Sequence, residues 1–133
     1  MLRQFMLGKL HRAVVTRADL DYVGSVSIDS ELMRAVGIIP YEKVLIVNVN
    51  TGVRFETYAI EAPARSRTIG MNGGCAHLAK PGDICLIMAF AWLSDGETIR
   101  PKTAIMGEGN EIVAVIEDEV IMPGIGIREH CSN

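Results

Sequence analysis

The chain has 133 residues, 49% of them hydrophobic and 22% charged, with a formal net charge of −3. That length suits one domain with its own core. The acidic balance offers no basic face for nucleic acid, and no apolar run approaches the ~20 residues a membrane helix needs.

Only 5% of residues are aromatic, so the core has to be aliphatic. Three widely spaced cysteines, Cys75, Cys85 and Cys131, fit neither a disulfide framework nor a zinc site. A reducing cytoplasm is the expected compartment. The apolar opening Met1 to Leu7 is followed at once by Gly8, Lys9 and His11 and does not read as a signal peptide.

Short apolar runs punctuated by Gly, Pro, Asn and Asp predict a mainly β chain. Leu10 to Thr16 reads as a first strand, and Val26 to Ile28 as a second after an interruption at Tyr22-Val23-Gly24-Ser25. Asp29 or Ser30 is placed to cap a short helix through Glu31 to Val36, with Gly37 as its stop. Lys43 to Val49 and Val53 to Ile60 form a predicted hairpin around Asn50-Thr51-Gly52. On its second strand Arg54, Glu56 and Tyr58 share one face and Thr57 takes the other.

Ile69 to Met71 is a further short strand. Asn72-Gly73-Gly74 turns from it into a helical turn at Cys75 to Ala79. Lys80-Pro81-Gly82-Asp83 is a turn before the strand Ile84 to Trp92. Lys102 to Met106 and Glu111 to Ile116 make a last hairpin, and the end from Pro123 reads as a frayed tail. About seven short strands and two short helices, with no repeat or linker, predict a single-domain small β-barrel.

Five local features stand in order along this frame. Lys9 and His11 lie two apart on one strand face. Gly24-Ser25 interrupts the early β segment. Arg54, Thr57 and Tyr58 share a strand, Asn72-Gly73-Gly74-Cys75 follows another, and Gly82-Asp83 opens a third. In this order and spacing, from about Met6 to Phe90 and more thinly through Pro101 to Val115, the chain resembles the pyruvoyl-dependent aspartate alpha-decarboxylases. That resemblance implies a double-psi β-barrel assembled as a homotetramer with sites between subunits. It departs from the family pattern at Cys75, where small residues are usual, and at Val47, where some members carry a large aromatic.

By the same resemblance the chain cuts itself between Gly24 and Ser25, giving residues 1–24 and 25–133, and Ser25 becomes a covalent pyruvoyl group. Its ketone would condense with the amine of L-aspartate as a Schiff base and accept the electrons that CO2 loss leaves behind, which no ordinary side chain does. β-Alanine, a precursor of pantothenate and coenzyme A, would be the product. Glycine before the cut suits the chemistry because its carbonyl is approachable and unusual backbone angles are open to it.

The resemblance also distributes the remaining roles. Arg54, a planar fork for carboxylates, and Lys9 would hold the substrate. Tyr58 would return a proton to the substrate carbon. Thr57 would hydrogen-bond in the site and polarise the Gly24 carbonyl. Asn72, Gly73, Gly74 and Cys75 would contact substrate, and His11 and Tyr22 would line the pocket or assist processing. No metal and no pyridoxal phosphate is expected.

Taken singly, each feature has a plainer reading. Gly-Ser is usually a turn, an isolated Arg54 a solvated strand charge, Tyr58 half-buried packing, and Gly82-Asp83 a structural turn. Two rivals stand beside the decarboxylase. One is an uncut barrel that binds an acidic peptide through Lys9 and Arg54. The other is a pyruvoyl decarboxylase for glutamate or another amino acid. Whether a maturation factor assists cleavage is open at this stage.

Overall fold

Residues 1–118 are described by the computed structural model. The tail from Pro123 lies outside the described residues. Strand β1 spans Arg3–Val14, well upstream of the expected start at Leu10. Its side-chain alternation is broken by register shifts between Met6 and Gly8 and between His11 and Ala13, with Arg12 at φ 68°. Such bulges erase the period-two pattern by which a strand is read from sequence. Strand β2, Arg17–Asp19, was not anticipated at all. It is too short to show a period and exists because it pairs in parallel with a later strand.

The other elements follow the predicted order: β3 Val26–Asp29, α1 Ser30–Val36, β4 Lys43–Asn48, β5 Arg54–Ala62, β6 Ile69–Asn72, β7 Ile84–Leu93, β8 Lys102–Met106 and β9 Ile112–Ile116. With β2 added, the described residues hold nine strands, against the expected seven or so. The second predicted helix is a 3-10 turn, Gly73–His77, and another such turn covers Glu108–Asn110. Of the two candidate caps for α1, Asp29 serves: its carboxylate accepts from Glu31 N at 2.8 Å, and Gly37 closes the helix at φ 80°.

The strand order is β2-β6-β3-β5-β4-β7-β1-β8-β9, mixing parallel and antiparallel pairs. Helix α1 touches β3 and β5 on one side and β1, β8 and β9 on the other, so the sheet curls around it. The buried Asn110 side chain completes the curl by bonding Val14 N and O at 2.8 and 2.9 Å and Arg67 O at 3.0 Å. The result is the mainly β, barrel-like architecture expected. At Gly8 a Cβ would collide with the Val36 carbonyl, so glycine is what lets α1 seat on β1.

Leu10, Val26, Ile28, Leu32, Ile46, Ile69, Met71 and Ile87 are fully buried, the aliphatic core that the composition required. Each contributes roughly 1.5–3 kcal/mol by leaving water. No described helix is long and apolar enough to cross a membrane.

Candidate active site

Ser25 stands at the entry to β3, between the ends of β5 and β6, and is 4% exposed. Both neighbouring strands grip it. Its carbonyl accepts Asn72 N–H at 2.7 Å, and its hydroxyl oxygen accepts Tyr58 N–H at 3.2 Å. The residue before it, Gly24, has φ +119°, a conformation that L side chains rarely adopt. A Cβ there would lie 2.9 Å from Ile60 Cδ1.

The Asn72-Gly73 corner presses on the same peptide. Gly73 has φ +58°, and a Cβ on it would sit 3.5 Å from the Gly24 carbonyl oxygen and 3.7 Å from that of Tyr22. The corner thus brings main chain against the bond expected to break. Gly74 is exposed and has open space where a side chain would point.

Asn72 is 1% exposed, and both ends of its carboxamide have a partner. Its Nδ2 donates to Ser27 Oγ at 2.8 Å, and its Oδ1 accepts from Arg17 Nη1 at 3.0 Å. A guanidinium only donates, so Arg17 fixes which way the carboxamide points. The same guanidinium carbon lies 5.1 Å from the Tyr22 ring centre, at cation–π distance. Arg17 therefore links two of the expected site residues, yet nothing in its local sequence singled it out. Its place follows from β2, which the pattern did not show.

Thr57 and Tyr58 do face apart, as strand alternation requires: Thr57 is half-buried and Tyr58 exposed. They reach the site by different atoms. Tyr58 does so through its main-chain amide. Thr57 Oγ1 lies 3.4 Å from Cys75 Sγ, which ties β5 to the Gly73–His77 turn. The Tyr58 ring, on the outer side, stacks on Tyr41 with centroids 6.1 Å apart.

The expected substrate-holding cations stand elsewhere on the chain. Arg54 begins β5, ~13 Å from Tyr58 at the ordinary strand rise. Lys9 and His11 lie on β1, and β5, β4 and β7 separate β1 from β3. Cross-strand pairing runs His11–Leu86–Val47–Arg54 in one row and Lys9–Met88–Leu45–Glu56 in the next. Residues directly opposite share a face, so Lys9, His11 and Arg54 occupy one face of the sheet, which is also the face of the Tyr58 ring. Gly24, Ser25, Tyr22, Thr57, Tyr58, Asn72, Gly73 and Cys75 are brought together; Lys9 and His11 on β1 and Arg54 at the start of β5 share a sheet face but are separated from one another by β7 and β4.

Gly82-Asp83 is structural. Main-chain Lys80 N–H and then Asn48 Nδ2 donate to the Asp83 carboxylate, at 3.1 and 2.9 Å, and hold it below the ordinary carboxylate range. Cys85 is fully buried, and burial together with nearby Asp83 pushes its thiol up to about 12. That leaves it un-ionised at neutral pH and chemically inert. Among the described residues no group of three or more His, Cys, Asp or Glu is arranged to hold a metal ion.

Comparison with known proteins gives this geometry a family. A family model described as aspartate decarboxylase matches residues 1–113. The chain is 49% identical over 121 residues to an aspartate 1-decarboxylase of Moorella thermoacetica, covering 90% of this chain and 94% of that protein. It is 45% identical over 121 residues to one of Staphylococcus epidermidis, with the same coverage, and 46% identical over 114 residues to one of Phenylobacterium zucineum, covering 84% and 97%. The chain belongs to the aspartate decarboxylase family.

Proposed function

We propose that this protein converts L-aspartate to β-alanine and CO2 with a pyruvoyl group made from its own Ser25. The observation that carries the reading is the buried Ser25 hydroxyl next to a positive-φ glycine, with Ser25 held at its carbonyl by β6 and at its hydroxyl by β5. Family membership supplies the substrate, since the relatives are named aspartate 1-decarboxylases.

In maturation the Ser25 oxygen attacks the Gly24 carbonyl carbon, and the peptide C–N bond breaks as an ester C–O bond forms. The hydroxyl proton passes to the freed nitrogen. Loss of the Ser25 α-proton then expels the Gly24 carboxylate. The enamine left behind moves its N–H proton to the terminal carbon and becomes an imine, water adds at the imine carbon, and ammonia leaves. One domain thereby becomes two chains, 1–24 and 25–133. Thr57 is suited to polarise the Gly24 carbonyl, and the Asn72-Gly73 corner to hold it in place. Tyr22, tied to Arg17, steadies the segment before the cut.

Once formed, the pyruvoyl carbonyl supplies the electron sink that decarboxylation of an α-amino acid requires. The protein's own groups do the rest. Arg54 and Lys9 bind the substrate carboxylates, Asn72, Gly73, Gly74 and Cys75 contact its polar groups, and His11 lines the pocket. Tyr58 delivers the proton to the carbon that lost CO2.

Because Lys9 and His11 on β1 are separated from β3 by three strands, we place each site between subunits of a homotetramer, with residues of more than one copy meeting at the pyruvoyl. The half-buried apolar residues between Lys9, His11 and Arg54, namely Leu45, Val47, Leu86 and Met88, suit a face covered by a second copy. The β-alanine would serve pantothenate and coenzyme A synthesis in the cytoplasm, where the free thiols of Cys75 and Cys85 are stable.

Intact mass under denaturing conditions tests the proposal. Two fragments split after Gly24, the larger lighter by about one ammonia than a serine-terminated chain, are expected, with CO2 released from aspartate and not from glutamate. Ser25→Ala should remain one chain and release none. A split Ser25→Ala chain would overturn the assignment of Ser25, and an uncut wild type that stays uncut on warming would return the protein to the binding-module reading. Faster CO2 release from glutamate would reassign the substrate.

A further inference from the structure

Tyr41 occupies a seat that its own side chain disfavours. Residues Ile39-Pro40-Tyr41-Glu42 form a turn closed by Glu42 N–H on Ile39 O at 3.1 Å, with proline second and Tyr41 third at φ 70°. This is the position of a type II turn that calls for glycine or asparagine. A bulky aromatic with positive φ is an outlier. The turn is clipped to β5 on both sides of that residue: Tyr41 N–H donates to Ala59 O at 2.7 Å, and Ala59 N–H donates to Glu42 O at 3.0 Å.

Burial does not account for the tyrosine. Its side chain is 78% exposed, among the most exposed large apolar groups described. What the ring does is stack on Tyr58, centroids 6.1 Å apart and planes 24° from parallel. Tyr58 is itself 39% exposed, so its ring is only partly covered by the rest of the chain. Strain retained where it yields no packing gain is a mark of function.

We propose that Tyr41 is a positioning residue for Tyr58. The strained turn carries the Tyr41 ring out over β5, and that ring restricts the Tyr58 phenol to the orientation from which it gives up its proton. The inference rests on the assignment of Tyr58 as proton donor. It adds a residue from a separate element, the α1–β4 connection, to the machinery of the decarboxylation step and not to that of self-cleavage.

The test compares fully processed wild type, Tyr41→Asn, Tyr41→Phe, Tyr58→Phe and the double variant Tyr41→Asn/Tyr58→Phe. Asparagine fits the turn seat, so Tyr41→Asn should melt at or above the wild-type temperature. It should cleave normally and keep its KM, yet lose about fivefold in kcat, the scale of an aromatic pair. In D2O the monodeuterated β-alanine it makes should lose stereochemical purity, a change that a purely structural role would not produce. Tyr41→Phe keeps the stack and should match wild type.

In the Tyr58→Phe background Tyr41→Asn should have no further effect. Wild-type kcat and stereochemistry in Tyr41→Asn, with Tyr58→Phe impaired, would overturn the positioning role and leave the proton donor in place. Wild-type kcat in Tyr58→Phe would instead remove the donor assignment, and this inference with it. A lower melting temperature in Tyr41→Asn would refute the strain argument; Tyr41→Gly, which also fits the seat, then carries the kinetic comparison.

Discussion

At Gly24 one added methyl group acts on self-cleavage in two separable ways. The residue has φ +119°, and an alanine Cβ would come within 2.9 Å of Ile60 Cδ1. The steric part is small, because that methyl is the far end of a flexible side chain. The backbone part is not: holding a non-glycine residue in so sparsely populated a region costs about 2 kcal/mol, within the usual ~1–3 kcal/mol range. If the attack by Ser25 needs this backbone shape, Gly24→Ala populates it about thirtyfold less, and cleavage slows by the same factor. Cell-free synthesis followed by a denaturing-gel time course gives the rate directly. Ile60→Val deletes Cδ1, so the double variant Gly24→Ala/Ile60→Val isolates the backbone contribution and should stay slow. Cleavage of Gly24→Ala at the wild-type rate would refute the link between positive φ and attack. Full rescue by Ile60→Val would assign the whole effect to crowding.

Two further outcomes follow from the residues around the site. Arg17→Leu removes the donor to Asn72 Oδ1 and the cation beside Tyr22; a partly exposed charged hydrogen bond is worth ~1.5 kcal/mol, which for a chain of this length lowers the melting temperature by ~5 °C. CO2 release should fall with it, and unchanged melting and turnover would show that Asn72 needs no external orientation. Asp83 carries a pH signature: its folded pKa lies below the ordinary aspartate value of 3.8, so its contribution to stability is present above that value. It is lost as pH falls through the folded pKa. The melting-temperature gap between wild type and Asp83→Asn should therefore be widest near neutral pH and close on strong acidification; a gap constant down to about pH 3 would contradict the assignment.

Some features were legible because their causes are local. Asp29 before Glu31 and Gly37 after Val36 bracket α1 through hydrogen bonds that close within a turn. Asn50-Thr51-Gly52 turns the β4–β5 hairpin for the same reason, with Gly52 at φ 81° and the Asn48 side chain accepting from Asn50 and Thr51. Aliphatic runs marked β4 and β7, whose alternate residues are buried. The order and spacing of Gly24-Ser25, Thr57-Tyr58 and Asn72-Gly73 carried the family resemblance, and that resemblance implied one site.

Periodicity states which face a side chain takes but not which strand lies beside it, so the sheet order had to come from the tertiary structure. Strand β2 and Arg17 have no periodic signature; their place is set by pairing with β6 across some fifty residues of chain. That Tyr58 meets Ser25 by its amide while its ring turns outward to Tyr41 depends on the parallel register of β3 with β5. The separation of Lys9 from Ser25 depends on the three strands between β3 and β1, and that of Arg54 on its place at the start of β5. Residue order determined the chemistry this chain carries, because reactive groups are side chains and main-chain angles of named residues. Cross-strand hydrogen bonds between distant segments decided which of those groups meet, because no local pattern encodes a partner that the chain reaches only by folding.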